Sequence, residues 1–179
     1  MTERLVLRPA TVDDLDALVA TVDQEVIRWQ GYPSEPAQLR KFIDNWLRSE
    51  KRMPTYRHWI ICDRATSDVI GSRSLWPAGG THRTCETGSW LGPGWRRHGL
   101  GVEELTAVLQ FVEGYLSYTT VVAGTEATNL AARRQYERCG FVVVARPDKL
   151  LHQLPDGRTV PATWLCRTAP ANGASRSHR

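Results

Sequence analysis

Glu86-Thr-Gly-Ser-Trp-Leu-Gly-Pro-Gly-Trp-Arg-Arg-His-Gly-Leu-Gly101 is the stretch from which the rest of this chain can be read. It opens with residues that suit a strand, breaks at Gly92, Pro93 and Gly94, and closes on Arg96-x-x-Gly99-x-Gly101. Directly downstream, Leu105, Val108, Leu109 and Val112 recur at helical spacing, so the glycines fall where a loop enters a helix. The first turn of a helix carries N–H groups with no intrahelical partner, and the helix dipole adds partial positive charge there. Glycines let the main chain approach a bulky anion, and Arg96, Arg97 and His98 add to the field. The expectation is a pyrophosphate seat built from the amides between Arg97 and Val102, through Gly99, Leu100 and Gly101. The bland alternative is a tight strand-to-helix turn.

Two familiar phosphate-binding patterns are excluded. The dinucleotide spacing Gly-x-Gly-x-x-Gly is absent, with no acidic residue placed after a second strand for a ribose, and no Gly-Lys-Ser/Thr follows as in a Walker loop. At 179 residues, 41% of them hydrophobic and 23% charged, the chain suits one globular domain with a sizeable core. The net charge of +4 is mild and no run of five or six cations occurs, which argues against a nucleic-acid surface and suits an anionic ligand. Cys62, Cys85, Cys139 and Cys166 are scattered, with no Cys-x-x-Cys and no histidine at metal-ligand spacing. No charged-then-apolar leader opens the chain, and no apolar stretch approaches the length of a membrane span. Together these point to a reduced, cytoplasmic, non-membrane protein without structural metal.

Arg4 to Arg8 alternates as a strand, and Thr11 with Asp14 suits a capping box ahead of Leu15, Leu18 and Val19. Asp23 to Pro33 carries Val26, Ile27, Trp29 and Tyr32 and is broken at Gly31 and Pro33. Ser34 is expected to cap a helix in which Leu39, Phe42, Ile43, Trp46 and Leu47 fall on one face. Strands are expected over Arg57–Asp63, Val69–Trp76, Arg83–Leu91, Tyr118–Ala123, Phe141–Ala145, Lys149–Leu154 and Arg158–Arg167, with helices to about Glu113 and over Asn129–Cys139. The result is a mixed α+β sheet in one domain over residues 1–167. Residues 168–179 can bury almost nothing and are expected to form a disordered tail.

A second stretch adds to the first. Asn129-Leu-Ala-Ala-Arg-Arg-Gln-Tyr136-Glu-Arg-Cys-Gly140-Phe141 places Asn129, Ala132 and Tyr136 on one helical face, with Gly140 just past the helix end. This segment resembles the late helix of the GNAT N-acetyltransferases, and Arg96-x-x-Gly99-x-Gly101 resembles their acetyl-CoA pyrophosphate loop. The element order is similar as well, so the resemblance implies the GNAT fold: a mostly antiparallel central sheet flanked by helices on both faces. Glu86-x-Gly-x-Trp-Leu, the segment from Glu25 to Pro33, and Asp156-Gly157-Arg158 are similar to the RimJ/RimL branch. One departure is that Val160 to Thr163 lacks an acidic residue common there after the late turn.

The resemblance implies acetyl-CoA as co-substrate, with no metal. Tyr136 would protonate the departing thiolate, and Asn129 would contact the pantetheine or pyrophosphate arm, although Tyr136 also suits a core position and Asn129 a helix cap. The amide near Leu91 or Gly92 would contact the acetyl oxygen. Glu86 would accept the amine proton directly or through water, unless it is a solvated strand charge; His82 and His98 are rival bases. Trp29, Tyr32, Trp76 and Trp46 would line the acceptor cleft, in which Asp23 and Glu25 are further acidic candidates. Cys85 has no evident His–Asp support for covalent chemistry. The expected function is direct acetyl transfer to a protein N-terminal amine or a small-molecule amine, by a monomer or homodimer. The competing reading is a non-catalytic acyl-CoA sensor or interaction module on the same fold.

Overall fold

The computed structural model describes residues 1–49, 55–78, 82–146 and 150–169. In chain order these form β1 (Leu5–Pro9), a 3-10 turn (Val12–Asp14), α1 (Leu15–Ala20), α2 (Gln24–Gln30), α3 (Pro36–Leu47), β2 (Arg57–Asp63), β3 (Val69–Pro77) and β4 (Thr84–Leu91). Then follow α4 (Leu100–Tyr115), β5 (Thr120–Glu126), α5 (Leu130–Arg138), β6 (Val142–Val144), β7 (Leu151–Gln153) and β8 (Thr159–Thr168). One sheet runs β1-β2-β3-β4-β5-β8-β6, with β7 beside β8. The β4–β5 pair, joined by the α4 crossover, is parallel; the other pairs are antiparallel. This is the expected α+β architecture.

Each sheet face has its own core. Leu105, Val108, Leu109 and Val112 of α4 pack with Tyr136 of α5 over Leu75, Cys85, Val121 and Leu165. On the opposite face, Leu18, Val26, Leu39, Ile43 and Leu47 from α1, α2 and α3 pack over Ile60, Cys62 and Trp90. Burying side chains of this size is worth about 1.5–3 kcal/mol each, which makes these two layers the main source of stability. Trp90 Nε1 donates to Thr21 Oγ1 at 2.9 Å and ties the end of α1 to β4.

Local signals explain most boundaries. Thr11 and Asp14 form the capping box, with the Thr11 amide donating to Asp14 Oδ2 at 2.8 Å. Asp23 caps α2 by accepting from the Val26 amide at 3.0 Å, and Gly31, at φ +66°, ends it in the left-handed region. A Cβ on Gly31 would come within 2.5 Å of Leu154 Cβ, so the β7–β8 turn rests against this corner. Two expectations need correction. The cap of α3 is Glu35, whose carboxylate accepts from the Ala37 and Gln38 amides at 3.0 and 2.7 Å. Pro36 suits the first helical position and moves the cap one residue past Ser34. The strand expected over Tyr118–Ala123 runs instead from Thr120 to Glu126, because β8 pairs with it as far as Glu126 and Ala162. Lys149 and the tail from residue 170 lie outside the described residues.

Candidate active site

β4 and β5 pair only over Thr84–Thr120, Cys85–Val121 and Glu86–Val122. Beyond that, β4 stays with β3 as far as Leu91 while β5 stays with β8 as far as Glu126, so a wedge opens inside the sheet. Carbonyl groups at alternate residues of a strand point to the same edge. Those of Thr87, Ser89 and Leu91 meet donors from other elements: Tyr136 Oη at 3.3 Å, Gln30 Nε2 at 2.9 Å and Arg96 Nε at 2.8 Å. The Gly92 amide donates back to Ile70 O at 2.8 Å, which directs the Leu91 amide to the open edge. Of the two amides considered from the sequence, Gly92 is thus committed to the sheet and Leu91 faces the wedge.

The wedge leads into the loop before α4. There Gly94, Arg97 and Gly99 adopt φ of +84°, +65° and +79°. Left-handed backbone at a non-glycine residue is uncommon and costly, and alternating conformations of this kind turn successive amides into one concavity that suits an anion. Arg97, His98 and Gly99 are exposed. The Val102 and Glu103 amides already donate to Gly99 O at 3.1 and 3.2 Å, so the amides preceding the first intrahelical bond are those of Leu100 and Gly101. The expected seat therefore ends at Gly101, because helix geometry occupies Val102. Arg4, which the sequence did not single out, anchors the loop by donating to His98 O at 2.9 Å and pairing with Glu103 at 2.7 Å.

Arg96 is turned elsewhere. Its guanidinium pairs with Asp23 at 2.7 Å and Glu25 at 2.8 Å, and it tethers the start of α2 to the Leu91 carbonyl. The Arg96 hydrogen bonds hold the Asp23 carboxyl below its ordinary range. Asp23 and Glu25 thus share one cation, which offsets half of their charge, while Glu126 at the end of β5 has Arg28 to itself, at 2.5 and 2.8 Å, and is held down at about 2. Asp156 pairs with Arg158 at 2.7 Å.

Tyr136 projects from α5 beneath the wedge, 6% exposed, with its ring 5.1 Å from Phe141. It occupies a core position, one of the two sequence readings, and its hydroxyl ends at the β4 edge. Burial raises the pKa of its phenol, and Arg73 opposes that rise. Asn129 caps α5 by accepting from the Ala132 amide at 3.1 Å. Glu86 stands opposite Trp76 at the last β4–β5 pair, half-buried, on the sheet face that carries α1 to α3. Because neighbouring strand residues alternate, the carboxylate of Glu86 and the phenol of Tyr136 flank the apex of the wedge from opposite faces.

The sequence reading also passed over Arg73 and Glu104, both 0% exposed. Arg73 Nε donates to Glu104 Oε2 at 2.8 Å, a second bond joins Arg73 Nη2 to Glu104 Oε1, and Arg73 Nη1 donates to Thr87 Oγ1 at 3.1 Å. Gln135 Nε2 reaches both Gly101 O at 2.8 Å and Glu104 Oε1 at 3.3 Å. The signal was available: Arg73 is the one charged residue of β3, at its middle, and Glu104 falls on the apolar stripe of α4 between Leu100 and Val108.

Of the expected acceptor residues, Trp76 lies over Gly88, where a Cβ would meet its ring at 3.3 Å. Trp29 is half-buried under Arg28, 4.6 Å from the guanidinium carbon. Tyr32 is buried against Phe42 and Trp90, with ring centroids 4.8 and 5.5 Å away. It also borders a cleft of about 600 Å³ that includes Arg28, Glu35, Asp156 and Arg158. Trp46 packs 4.2 Å from His58. Another cleft, of about 650 Å³, opens beside the loop and is lined by Arg4, Arg64, Trp95 and His98 among others. Burial pushes the Cys85 thiol up to about 12, so it offers no thiolate at neutral pH. Among the described residues, no group of three or more His, Cys, Asp or Glu is arranged to hold a metal ion, and no helix is long and apolar enough to cross a membrane.

His58, on β2 beside Ser74, is a buried histidine whose nitrogens are both engaged. Ser49 Oγ donates to Trp46 O at 2.6 Å and so accepts from His58 Nε2 at 2.8 Å, while Ser74 Oγ donates to Nδ1 at 3.0 Å. Burial lowers its pKa to about 4, below the ordinary value of 6.5. The unfolded chain therefore binds the proton first as pH falls. Stability contributed by neutral His58 is complete above pH 6.5 and is lost as pH drops towards 4. The loss should reach on the order of 3 kcal/mol at 1.36 kcal/mol per pKa unit. Urea midpoints at pH 7 and pH 5 should differ in the native protein and much less in His58→Gln; equal pH slopes in the two would refute the assignment.

No curated protein sequence matches this chain significantly. Among solved structures it resembles an acetyltransferase of the GNAT family from Bacillus anthracis, with 16% identity, a TM-score of 0.75, and coverage of 94% of this chain and 96% of that one. It is similar at 18% identity to spermidine N-acetyltransferase from Vibrio cholerae, solved with CoA and spermine (TM-score 0.75; 92% and 95% covered). Aminoglycoside acetyltransferase AAC(6')-Ib, solved with coenzyme A, aligns at 20% identity (TM-score 0.71; 92% and 94% covered). At these identities the likeness establishes the fold. The sequence itself matches the family model for the acetyltransferase (GNAT) domain over residues 4–142, well over half its length, and the chain belongs to that family.

Proposed function

We propose that this protein moves an acetyl group from acetyl-CoA directly to a primary amine held on the α1–α3 face of the sheet. The observation that carries the reading is the wedge, flanked by Tyr136 and Glu86 and continuous with an anion-suited loop. The Arg97–Gly101 amides bind the pyrophosphate, with Val102 shaping the turn, and the cleft beside them, lined by Arg4, Arg64, Trp95 and His98 together with Glu3 and Asp63, receives the nucleotide end. The β4 edge that β5 leaves unpaired takes the pantetheine arm, and the Leu91 amide donates to the acetyl oxygen as charge builds there. Asn129 borders that arm while capping α5. Glu86 takes the amine proton, directly or through a water. Tyr136 supplies the proton that the sulfur needs as the C–S bond breaks. With the Cys85 thiol kept protonated, direct transfer is favoured over a covalent intermediate.

The RimJ/RimL-like segments and the charge balance favour a singly charged acceptor, such as a polypeptide N-terminal amine, with Trp29, Tyr32 and Trp76 as its apolar walls. Asp23 and Glu25 share Arg96, Glu126 pairs with Arg28 and Asp156 with Arg158, so three arginines offset all but one of these four charges and leave little to offer a polycation. The test is a panel of peptides with free N-terminal amines, spermidine and an aminoglycoside, each supplied with acetyl-CoA. CoA thiol release and a mass gain of one acetyl group are expected on the peptides. Faster turnover on a polycation would overturn the acceptor reading. Binding of acetyl-CoA with no release on any amine would favour a non-catalytic acyl-CoA-binding module.

A further inference from the structure

A fully buried ion pair costs several kcal/mol in lost hydration per ion, and pairs of this kind are often matched in stability by apolar residues of the same size. Arg73 and Glu104 therefore call for an explanation beyond packing. Their surroundings supply one. Arg73 is fixed from two sides, by both Glu104 oxygens and by Thr87 Oγ1, which in turn donates to Ser74 O at 2.8 Å. Thr87 is also the residue whose carbonyl holds the Tyr136 hydroxyl. The guanidinium is thus locked beside the phenol at the root of the wedge, with Glu104 in the first turns of the helix that begins at the loop.

We propose that Arg73, held by Glu104, is a positioning residue for Tyr136: its fixed charge faces the phenol and stabilises the phenolate formed when the hydroxyl gives up its proton. This rests on the acid role assigned to Tyr136 above. In the step concerned, the C–S bond breaks and its electron pair stays on sulfur. The Tyr136 O–H proton passes to that sulfur, and the negative charge left on Oη lies against Arg73. The amine proton taken up by Glu86 then passes through solvent to the phenolate, which returns both groups to their starting states, so no charge accumulates over a turnover.

The charged groups that act on the phenol are Arg73 from β3, Glu104 from α4 and Glu86 from β4; the Cys139 thiol, just past the end of α5, feels the same Arg73 and Glu104. Arg73 alone favours the phenolate; both carboxylates oppose it. The arrangement predicts opposite effects from the two members of the pair. Removing the cation together with its partner, in Arg73→Met with Glu104→Leu, should push the Tyr136 titration up. Removing only the carboxylate charge, in Glu104→Gln, should bring it down.

The measurement is 19F NMR of protein carrying 3-fluorotyrosine, with the Tyr136 resonance identified by its loss in Tyr136→Phe and its titration followed against pH. In parallel, kcat in the double variant should fall roughly 10- to 100-fold, a share of the 10²–10⁴ a positioned acid supplies, with KM for acetyl-CoA within about threefold. If Tyr136→Phe keeps its turnover, the acid reading fails, while the fluorine titration still decides whether Arg73 governs the phenol. A Tyr136 titration that stays put in folded Glu104→Gln, or moves the same way in both variants, overturns the proposal. So does a double variant in which KM rises as much as kcat falls, the mark of a structural role alone.

Discussion

Tyr136→Phe is expected to lower kcat by about 10²–10³-fold, roughly 3–4 kcal/mol of barrier, while leaving the affinity for acetyl-CoA nearly unchanged. The substitution removes one oxygen. The remaining ring keeps its place 5.1 Å from Phe141 in the α4–α5 core, so the fold has no reason to move. The Thr87 carbonyl loses its 3.3 Å donor, a loss on the order of 1 kcal/mol in stability. Without the hydroxyl the thiolate must leave unprotonated or wait for water. The defect should therefore appear in kcat, and most strongly at high pH, where solvent is the poorer acid. Steady-state kinetics with the best amine of the panel, beside calorimetric binding of acetyl-CoA, separate the two quantities. Unchanged kcat in a folded variant would remove Tyr136 from the chemistry.

Gly99→Glu should weaken acetyl-CoA binding by at least about 100-fold. Gly99 caps α4 at φ +79°, where a side chain is strained by about 1–2 kcal/mol, although the nearest atom to a new Cβ is Arg4 Nη2 at 3.7 Å. The larger effect is charge. A carboxylate about 4 Å from a bound phosphate is repelled by about 4 kcal/mol at the effective dielectric of a protein surface. Gly99→Asn serves as the control, since Asn tolerates left-handed backbone and carries no charge; it should bind within a few fold of the native protein. Titration calorimetry of the three proteins with acetyl-CoA decides the matter. Equal affinity in folded Gly99→Glu would show that the pyrophosphate docks elsewhere.

Much of the architecture was legible in local patterns. The capping box at Thr11 and Asp14, the one-sided apolar face of α3, the β2–β3 hairpin and the glycine loop before α4 are all short-range features, and each appears where its pattern indicated. The Asn129–Tyr136 helix, with Gly140 at φ +83° beyond its end, was equally plain. Where boundaries moved, a longer-range influence intervened: Pro36 displaced the cap of α3, and β8 extended β5 by pairing.

The sequence by itself thus determined the order of elements, the glycine loop before α4 and the helix that carries Tyr136, because periodicity, caps and glycine conformations act within a few residues. Only the tertiary structure decided that β4 and β5 part after Glu86. The same holds for Arg96, which turns to Asp23 across 73 residues, and for Gln30, which reaches the Ser89 carbonyl across 59. It also decided that Arg73 and Glu104 meet in the interior, 31 residues apart. These outcomes depend on which distant groups come within hydrogen-bond reach once both faces of the sheet are covered, and on the cost of leaving a buried charge without its counter-ion.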